Sequence, residues 1–393
     1  MLLYEYQVHG FKIKVSDSLS DNQLSQSWEG LTKSAQHLRS EMLILLEKAK
    51  PIDLHFRYLF IYPEDSDSKP CGIIYLQLLQ FNHRNFNFSE KSYLQSLARI
   101  ILKLKSFRIL MAGCLFSVDF SPVVLDQTKI NPELLLNILD AYAKYEKFDA
   151  LLLKDMPGKF NRELLATHGY KPFETDLTMQ LEINPDWKTF KDYERALTHK
   201  YAQRVRKIRK QAVDIKRKQI SKHEFILERS RFMDLFYQVS GKQTIRMGII
   251  DHVYFEELFD TLGSNFVLIG YFENDKLIAF ASHILYKDKL EVHYIGIDYT
   301  CNSHYALYFN ILYDGIMLAI EYKKSSLELG RTAREAKAVV GCHPIYFNDY
   351  VKISNSFVNW LVNLLSKYFN QSLGDGWKKR HPFKTIATGI AEK

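Results

Sequence analysis

The chain has 393 residues, 47% of them apolar and 14% aromatic, enough for two or three domains with a well-buried core; long disordered regions are excluded on composition. Its net charge is +8, yet 13 of the 53 basic and 3 of the 45 acidic residues fall between Lys188 and His223, leaving 40 against 42 elsewhere, so one segment makes the protein basic. Cys71, Cys114, Cys301 and Cys342 are scattered without paired spacing, which argues against a disulfide framework or a zinc site and for a reducing, cytoplasmic compartment. The N-terminus alternates like a strand and lacks the basic start and apolar core of a signal peptide, and no apolar run is long enough to span a membrane.

In chain order, the spacing predicts a strand over 4–15, a Ser/Asp loop over 16–20 and helical patterns over 24–46. Strands over 55–62 and 72–81 flank a polar turn, where Asp65-x-Asp67 lacks the Gly and Glu of a calcium loop and reads as solvated. A helix over 92–105, strands over 107–117 and 121–125, a Pro132-initiated helix to 145, a strand over 148–153, a short helix over 161–167 and a strand over 170–183 complete the first half. A single helix over 190–215, roughly 39 Å long at 1.5 Å per residue, joins it to the second. Helices over 225–242 and 251–263 follow, then a hairpin over 266–272 and 276–286. Next come a strand over 290–299, a helix over 305–323, a strand over 327–331 and a helix over 333–340 stopped by Gly341. Ser354 or Asn355 caps a last helix to 369, and the polar tail from 374 is expected to be mobile or to act as a flap.

Two segments repeat. Residues 143–151 match 319–327 at an offset of 176, and Gly169-Tyr170-Lys171-Pro172 matches Gly341-Cys342-His343-Pro344 at an offset of 172. A period this long means domain duplication.

The strand–helix–strand unit over 290–331 is a crossover, which places a cleft at the carboxyl ends of its strands. Arg331 lies at one such end, beside a helix start suited to a phosphate or carboxylate; an internal salt bridge is the competing role. Thr332-x-x-Glu335 reads as a capping box, with a general-base or substrate role as the alternative for Glu335, and Lys337 is either a solvated face or part of the site. With period two, Val292, Tyr294, Gly296 and Asp298 share one face of the strand and His293, Ile295 and Ile297 the other. His293 is therefore expected among apolar neighbours as a core histidine, or else as a base; Gly296 would let a substrate approach the backbone. Lys200, Arg204, Arg206, Lys207, Arg209 and Lys210 crowd about three turns, as a solvated face or a polyanion-binding one, with Lys200, Arg204 and Lys207 the candidates for phosphate contact. No nucleophile elbow, zinc motif or Walker loop is present, and no metal is expected.

Residues 296–298, 305–310 and Leu329-Gly330-Arg331-Thr332-Ala333-Arg334-Glu335-Ala336-Lys337, with Gly341, Pro344 and the basic run 193–207, resemble the Fem-like, double-domain branch of the GNAT acyltransferase superfamily. The resemblance implies an α/β fold of mixed sheets: a GNAT-like domain over 1–185, a basic helical connector over 186–224, a second GNAT-like domain over 225–372 and a tail over 373–393. It implies transfer of an acyl or aminoacyl group from a thioester or tRNA ester to a small-molecule or peptide amine, with tRNA or an acyl carrier protein as partner. It makes Tyr294 a candidate acid with Tyr305 and Tyr308 as rivals, Glu335 and Lys337 catalytic, and Arg331, His293, Gly296 and Asn310 substrate-binding. Thr300-Cys301-Asn302-Ser303-His304 holds no glycine where GNAT enzymes cradle a coenzyme A diphosphate, so acyl-CoA would need another mode. A non-catalytic module binding nucleic acid or anionic glycan through the basic helix, and a scaffold without ligand, stand as alternatives.

Overall fold

The computed structural model describes residues 2–33, 38–65, 69–87, 93–118, 120–156, 161–243, 245–360, 362 and 377–384. They form two compact units that do not follow the two halves of the chain. Unit 1 comprises Met1–Asp176, Gln243–Thr261 and Phe347–Leu373; unit 2 comprises Leu177–Lys242, Leu262–Tyr346 and Gly374–Lys393.

In unit 1, the strand expected over 4–15 is a hairpin of β1 (Leu2–Val8) and β2 (Phe11–Ser16), because His9 and Gly10 take left-handed backbone and turn the chain. Helices α1 (Asn22–Thr32) and α2 (Ser40–Ala49) cover the span of the expected helical patterns. Then follow β3 (Leu54–Pro63), β4 (Gly72–Phe81), α3 (Tyr93–Leu104), β5 (Phe107–Ala112), β6 (Val123–Leu125), α4 (Pro132–Tyr145), β7 (Ala150–Met156) and α5 (Arg162–Thr167). Strand β8 (Lys171–Glu182) passes into unit 2. Asn131 starts α4 by accepting the Leu134 N–H, with Pro132 at the first helical position. Leu135, Leu136, Ile138, Leu139 and Tyr142 on one face of α4 bury against Leu110 and Ala112 of β5 and Leu151 and Leu153 of β7. The sheet order is β1-β2-β3-β4-β5-β7 and then residues 347–353 of a late strand, with β6 on β4; only β5 and β7 are parallel, the pair that α4 joins.

Unit 2 begins with residues 177–182 of β8 and continues through α6 (Phe190–Ala196), α7 (His199–Gln211), β9 (Lys216–Gln219), α8 (Lys222–Leu227) and α9 (Arg229–Ser240). Helix α10 (His252–Leu262) belongs almost wholly to unit 1. Then come β10 (Phe266–Glu273), β11 (Lys276–Leu285), β12 (Lys289–Ile297), α11 (Tyr299–Tyr305), α12 (Leu307–Glu321), β13 (Ser326–Glu328), α13 (Arg334–Val339) and β14 (His343–Ile353), the last supplying 347–353 to unit 1. The sheet order is β8-β13-β12-β11-β10-β9, again antiparallel except for β12 and β13, joined by α12. Each unit is thus finished by a strand from the other half of the sequence, and positions 185 and 225 both fall within unit 2.

The helix expected over 190–215 is two helices, because Leu197 and Thr198 are extended and pair with the tail instead. The Thr198 N–H donates to Pro382 O (2.8 Å), Lys384 N–H to Ala196 O (2.9 Å), and Leu197 bridges Phe383. Phe383 packs on Trp187 and Tyr193, and a Cβ on Gly341 would lie 2.4 Å from its ring. Residues 377–384, expected to be mobile or a flap, are therefore docked on unit 2. Asn355 rather than Ser354 caps the last helix, accepting the Phe357 N–H (3.0 Å); the expected extension to 369 passes outside the described residues.

The duplication is visible in local geometry. In α5, Gly169 N–H donates to Ala166 O (2.9 Å) and Tyr170 N–H to Leu165 O (2.9 Å). In α13, Gly341 N–H donates to Ala338 O (3.1 Å) and Cys342 N–H to Lys337 O (3.1 Å), 172 residues on. Both glycines have positive φ (79° and 105°), the backbone that lets a short helix turn straight into a strand.

Candidate active site

Strand β12 does not keep period two. Two steps of β11, Ala281 to His283, face three of β12, Val292 to Ile295, so β12 carries one extra residue in a β-bulge. Ser282 fills the irregularity, its Oγ accepting the Tyr294 N–H (2.9 Å) and donating to the Tyr294 carbonyl (3.0 Å). The bulge overturns the expected faces. Leu290 and Val292 before it, and Ile295 and Ile297 after it, all pack toward α12. Glu291, Tyr294 and Gly296 take the opposite face, where Tyr294 meets Phe236 of α9 and Gly296 lies under Leu235 of α9. His293 goes with Glu291 and not with the isoleucines: its Nδ1 lies 2.6 Å from Glu291 Oε1, both side chains buried.

The parallel pairing of β12 with β13 stops at Glu291 and Glu328, although β12 runs on to Ile297. β13 is three residues long, not five, and the chain after it turns to β8: Leu329 N–H donates to Met179 O (2.9 Å) and Met179 N–H to Gly330 O (3.1 Å). Because Asp298 N–H donates to Ile278 O of β11 (2.8 Å), the alternation of an antiparallel ladder turns the Ile295 and Ile297 N–H groups away from β11, to the side that β13 has left. At the end of this gap lies a cavity of about 440 Å³ lined by Ile297, Tyr299, Asn302, Ser303, Ala306, Tyr308, Phe309 and Ala333.

The glycine-free run 300–304 forms α11 rather than a loop. Asp298 caps it, taking the Thr300 N–H (3.1 Å) and hydroxyl (2.6 Å) and pairing with Arg231 (2.9 Å); these contacts hold its carboxyl below the usual range. Ala306 in left-handed backbone separates α11 from α12, and Asn302 Oδ1 takes the Tyr308 N–H (3.0 Å). One amide at the α12 start is thus already used by a side chain of α11.

On the far face of the strand junction lies a buried charged cluster. Glu328, 1% exposed, accepts the Thr178 hydroxyl of β8 (2.7 Å) and Lys289 Nζ (3.0 Å). Burial, then the charge of its register partner Glu291, raises its pKa. Lys337, 4% exposed, donates to Gly330 O (3.1 Å), and burial lowers its pKa to about 8. A signal existed: Leu290-Glu291-Val292 and Leu327-Glu328-Leu329 each set one acid between apolar residues in neighbouring strands.

Other expected site residues are committed elsewhere. The space above Gly296 is filled, since a Cβ there would sit 2.2 Å from the Phe280 ring. Tyr305 donates to Glu273, which pushes its pKa up to about 12. Asn310 is fully buried: its amide donates to Tyr305 O (3.0 Å) and its Oδ1 accepts from Arg209 and Arg217 (3.2 Å each). The Thr332–Glu335 capping box does not form, because α13 starts from a left-handed Ala333 without a side-chain cap; Glu335 instead pairs with Arg380 on the surface. Arg331 is half-buried beside that turn, its carbonyl 3.4 Å from Arg334 Nε. Tyr308 does line the cavity, and burial raises its pKa.

The basic segment divides. Arg206 pairs with Glu194 (2.6 Å); Arg209 and Arg217 turn inward to Asp314, at 2.5 and 2.9 Å, where Tyr271 also donates (2.8 Å). Lys200, Arg204 and Lys207, at helical spacing on α7, are exposed, and Arg204 lies 4.8 Å over the ring of Phe309 at the cavity.

With this geometry in view, the comparisons with known proteins fit. Residues 126–372 match the FemAB-like family, described as peptidoglycan biosynthesis/recognition, and the chain belongs to that family. Its structure is similar to that of FemX at 13% identity, covering 86% of this chain and 98% of that one with a TM-score of 0.52. It is also similar to a tandem GNAT protein from the clavulanic acid biosynthesis pathway, at 9% identity, 87% and 98% coverage and a TM-score of 0.50. These likenesses show the fold, two GNAT-like bodies in tandem. No curated protein matches the chain. Among the described residues no helix is long and apolar enough to cross a membrane.

Proposed function

We propose that the chain is an acyltransferase that moves an acyl or aminoacyl group from an ester or thioester donor onto an amine, with its site in unit 2. The observation that carries this reading is the parting of β12 from β13 beside the cavity, with the Ile295 and Ile297 amides turned to the gap. The donor carbonyl enters from the α12 side, its oxygen accepting from one of those N–H groups as it becomes an oxyanion. The amine gives its proton to His293, which Glu291 orients. A C–N bond forms, the C–O or C–S bond of the donor breaks, and Tyr308, kept protonated by burial, supplies a proton to the leaving group. Tyr294 packs against Phe236 of α9.

The exposed stripe of Lys200, Arg204 and Lys207 supports a donor whose leaving group carries phosphates, and an aminoacyl-tRNA fits it; the family description supports a peptidoglycan precursor as acceptor. The test incubates the protein with acetyl-CoA or with a charged tRNA pool, each with a lysine-containing muramyl pentapeptide, and reads the acceptor mass. Transfer from tRNA, lost on the Arg204→Ala/Lys207→Ala double substitution and falling with salt at a log–log slope near about −2 for three phosphate contacts, is expected. Transfer from neither donor refutes the reading. Salt-steep tRNA binding without transfer favours the non-catalytic module instead.

A further inference from the structure

The two copies of the fold can be set against each other residue by residue at the strand junction. Glu328 of β13 pairs in register with Glu291 of β12. The repeat offset of 176 carries Glu328 back to Leu152 of β7, whose register partner on β5 is Met111. The offset of 172, confirmed by the matched turn bonds, carries Lys337 back to Leu165. Met111, Leu152 and Leu165 are 0%, 5% and 1% exposed, so unit 1 closes the same parallel pair and the same helix-to-strand turn with apolar side chains alone.

Unit 1 does bury charges one step further on, but Lys154 and Asp155 neutralise each other at 2.6 Å, and Lys154 packs against Gly113, where a Cβ would lie 2.7 Å from it. β5 ends there, at Ala112, whereas β12 runs on past the end of its pairing. The topology therefore does not need acids and a lysine at these three places, and burying them costs solvation that apolar side chains would not.

We propose that Glu291, Glu328 and Lys337 are positioning residues of the reaction centre in unit 2, installed for function, and that unit 1 is the copy without one. This rests on the acyl-transfer reading for its role in turnover, though not for its claim about stability. Glu291 holds His293 by Nδ1, and Glu328, tied to Thr178 and Lys289, lies opposite Glu291 in the register. Lys337, under Gly330 where β13 ends, supplies a nearby positive charge, with Arg334 and Cys342 the other titratable groups against it. The amine proton taken by His293 is thereby balanced by an acid pair whose charge is set by two lysines.

The test gives unit 2 the side chains of unit 1 in the full-length protein: Glu291→Met, Glu328→Leu and Lys337→Leu together. The variant is expected to melt at or above the native temperature and to lose transfer by ~100-fold or more. Glu328→Gln, which keeps hydrogen-bonding capacity toward Thr178, should retain the fold and displace the pH–rate profile, which a packing role would not do. A variant that transfers within about threefold of native overturns the proposal, and so does one that melts well below native, since the charges then belong to the packing. If native protein transfers to neither probe, the acyl-transfer reading fails, and the melting comparison still decides this one: at or above native supports it, below overturns it.

Discussion

Asp314 sits in the middle of α12, a helix otherwise buried almost all round, and its carboxylate is 4% exposed while accepting from Arg209, Arg217 and Tyr271. Replacing it by leucine leaves two guanidiniums with the neutral Asn310 Oδ1 in place of a carboxylate, and a buried phenol without its acceptor. Breaking a buried pair from one side costs about 3–5 kcal/mol. The arginine side chains are 23% and 30% exposed, so they recover part of their hydration and place the cost toward the lower end. The stranded Tyr271 hydroxyl adds about 1–3 kcal/mol. A net loss of about 4 kcal/mol corresponds to a fall of roughly 8–16 °C in melting temperature for a unit of this size. Scanning calorimetry of Asp314→Leu reads this directly. The triple replacement Asp314→Leu/Arg209→Met/Arg217→Met removes all three charges and should recover most of the loss. A fall of less than ~2 °C for Asp314→Leu alone would mean that the network holds nothing together, and the inward assignment of Arg209 and Arg217 would be wrong.

Two further outcomes follow from the bulged strand. Gly296→Ala drives a Cβ to 2.2 Å from the Phe280 ring and 2.8 Å from Leu235, an overpacking that should cost about 1–3 kcal/mol in urea unfolding; a neutral result would mean that the glycine is kept open for a ligand after all. His283, fully buried beside the bulge with its Nδ1 at 3.2 Å from Val267 O, has its pKa lowered by burial from 6.5 to about 4. The folded state thus favours the neutral ring. Its contribution is complete above pH 6.5 and is lost as pH falls toward 4, up to about 3 kcal/mol across that window. The gap in stability between native protein and His283→Gln should narrow by that amount from pH 7 to pH 4; a gap independent of pH would refute the assignment.

Much of the chain could be read from pattern alone. Strands β3, β4, β7, β10 and β11, the capped helix α4 and the Gly169 and Gly341 turns all lie close to where periodicity and turn chemistry put them, because each is specified by residues within its own window. The failures share a cause: the deciding partner lay far away in sequence. The helix over 190–215 breaks because residues 382–384 offer its backbone a strand-like partner. Thr332 and Glu335 fit a capping box, but Gly330 and Ala333 take left-handed backbone and the helix begins too late to use it. Counting faces along β12 fails because one inserted residue, held by Ser282 of the neighbouring strand, reverses every position beyond it. Lys337 and His293 stand out as candidates; Glu291 and Glu328 carry only the weaker signal of an acid flanked by apolar residues, which reads as solvent-facing until the register partner is known.

The same distance-dependence divides the basic run. A basic run on one helix suggests a single surface with a single purpose, yet half-turn steps along α7 and into β9 send its cations to different ends. Arg209 and Arg217 neutralise one acid inside α12, Arg206 is held by Glu194, and Lys200, Arg204 and Lys207 face outward, Arg204 over Phe309 at the cavity. The inward pair ties α7 and the edge strand β9 to α12, whose first turn forms one wall of that cavity. The acid at the middle of α12 therefore sets where the outward cations stand: it fixes the helix that presents Arg204 to Phe309, and any anion gathered by that stripe meets a wall already braced from beneath.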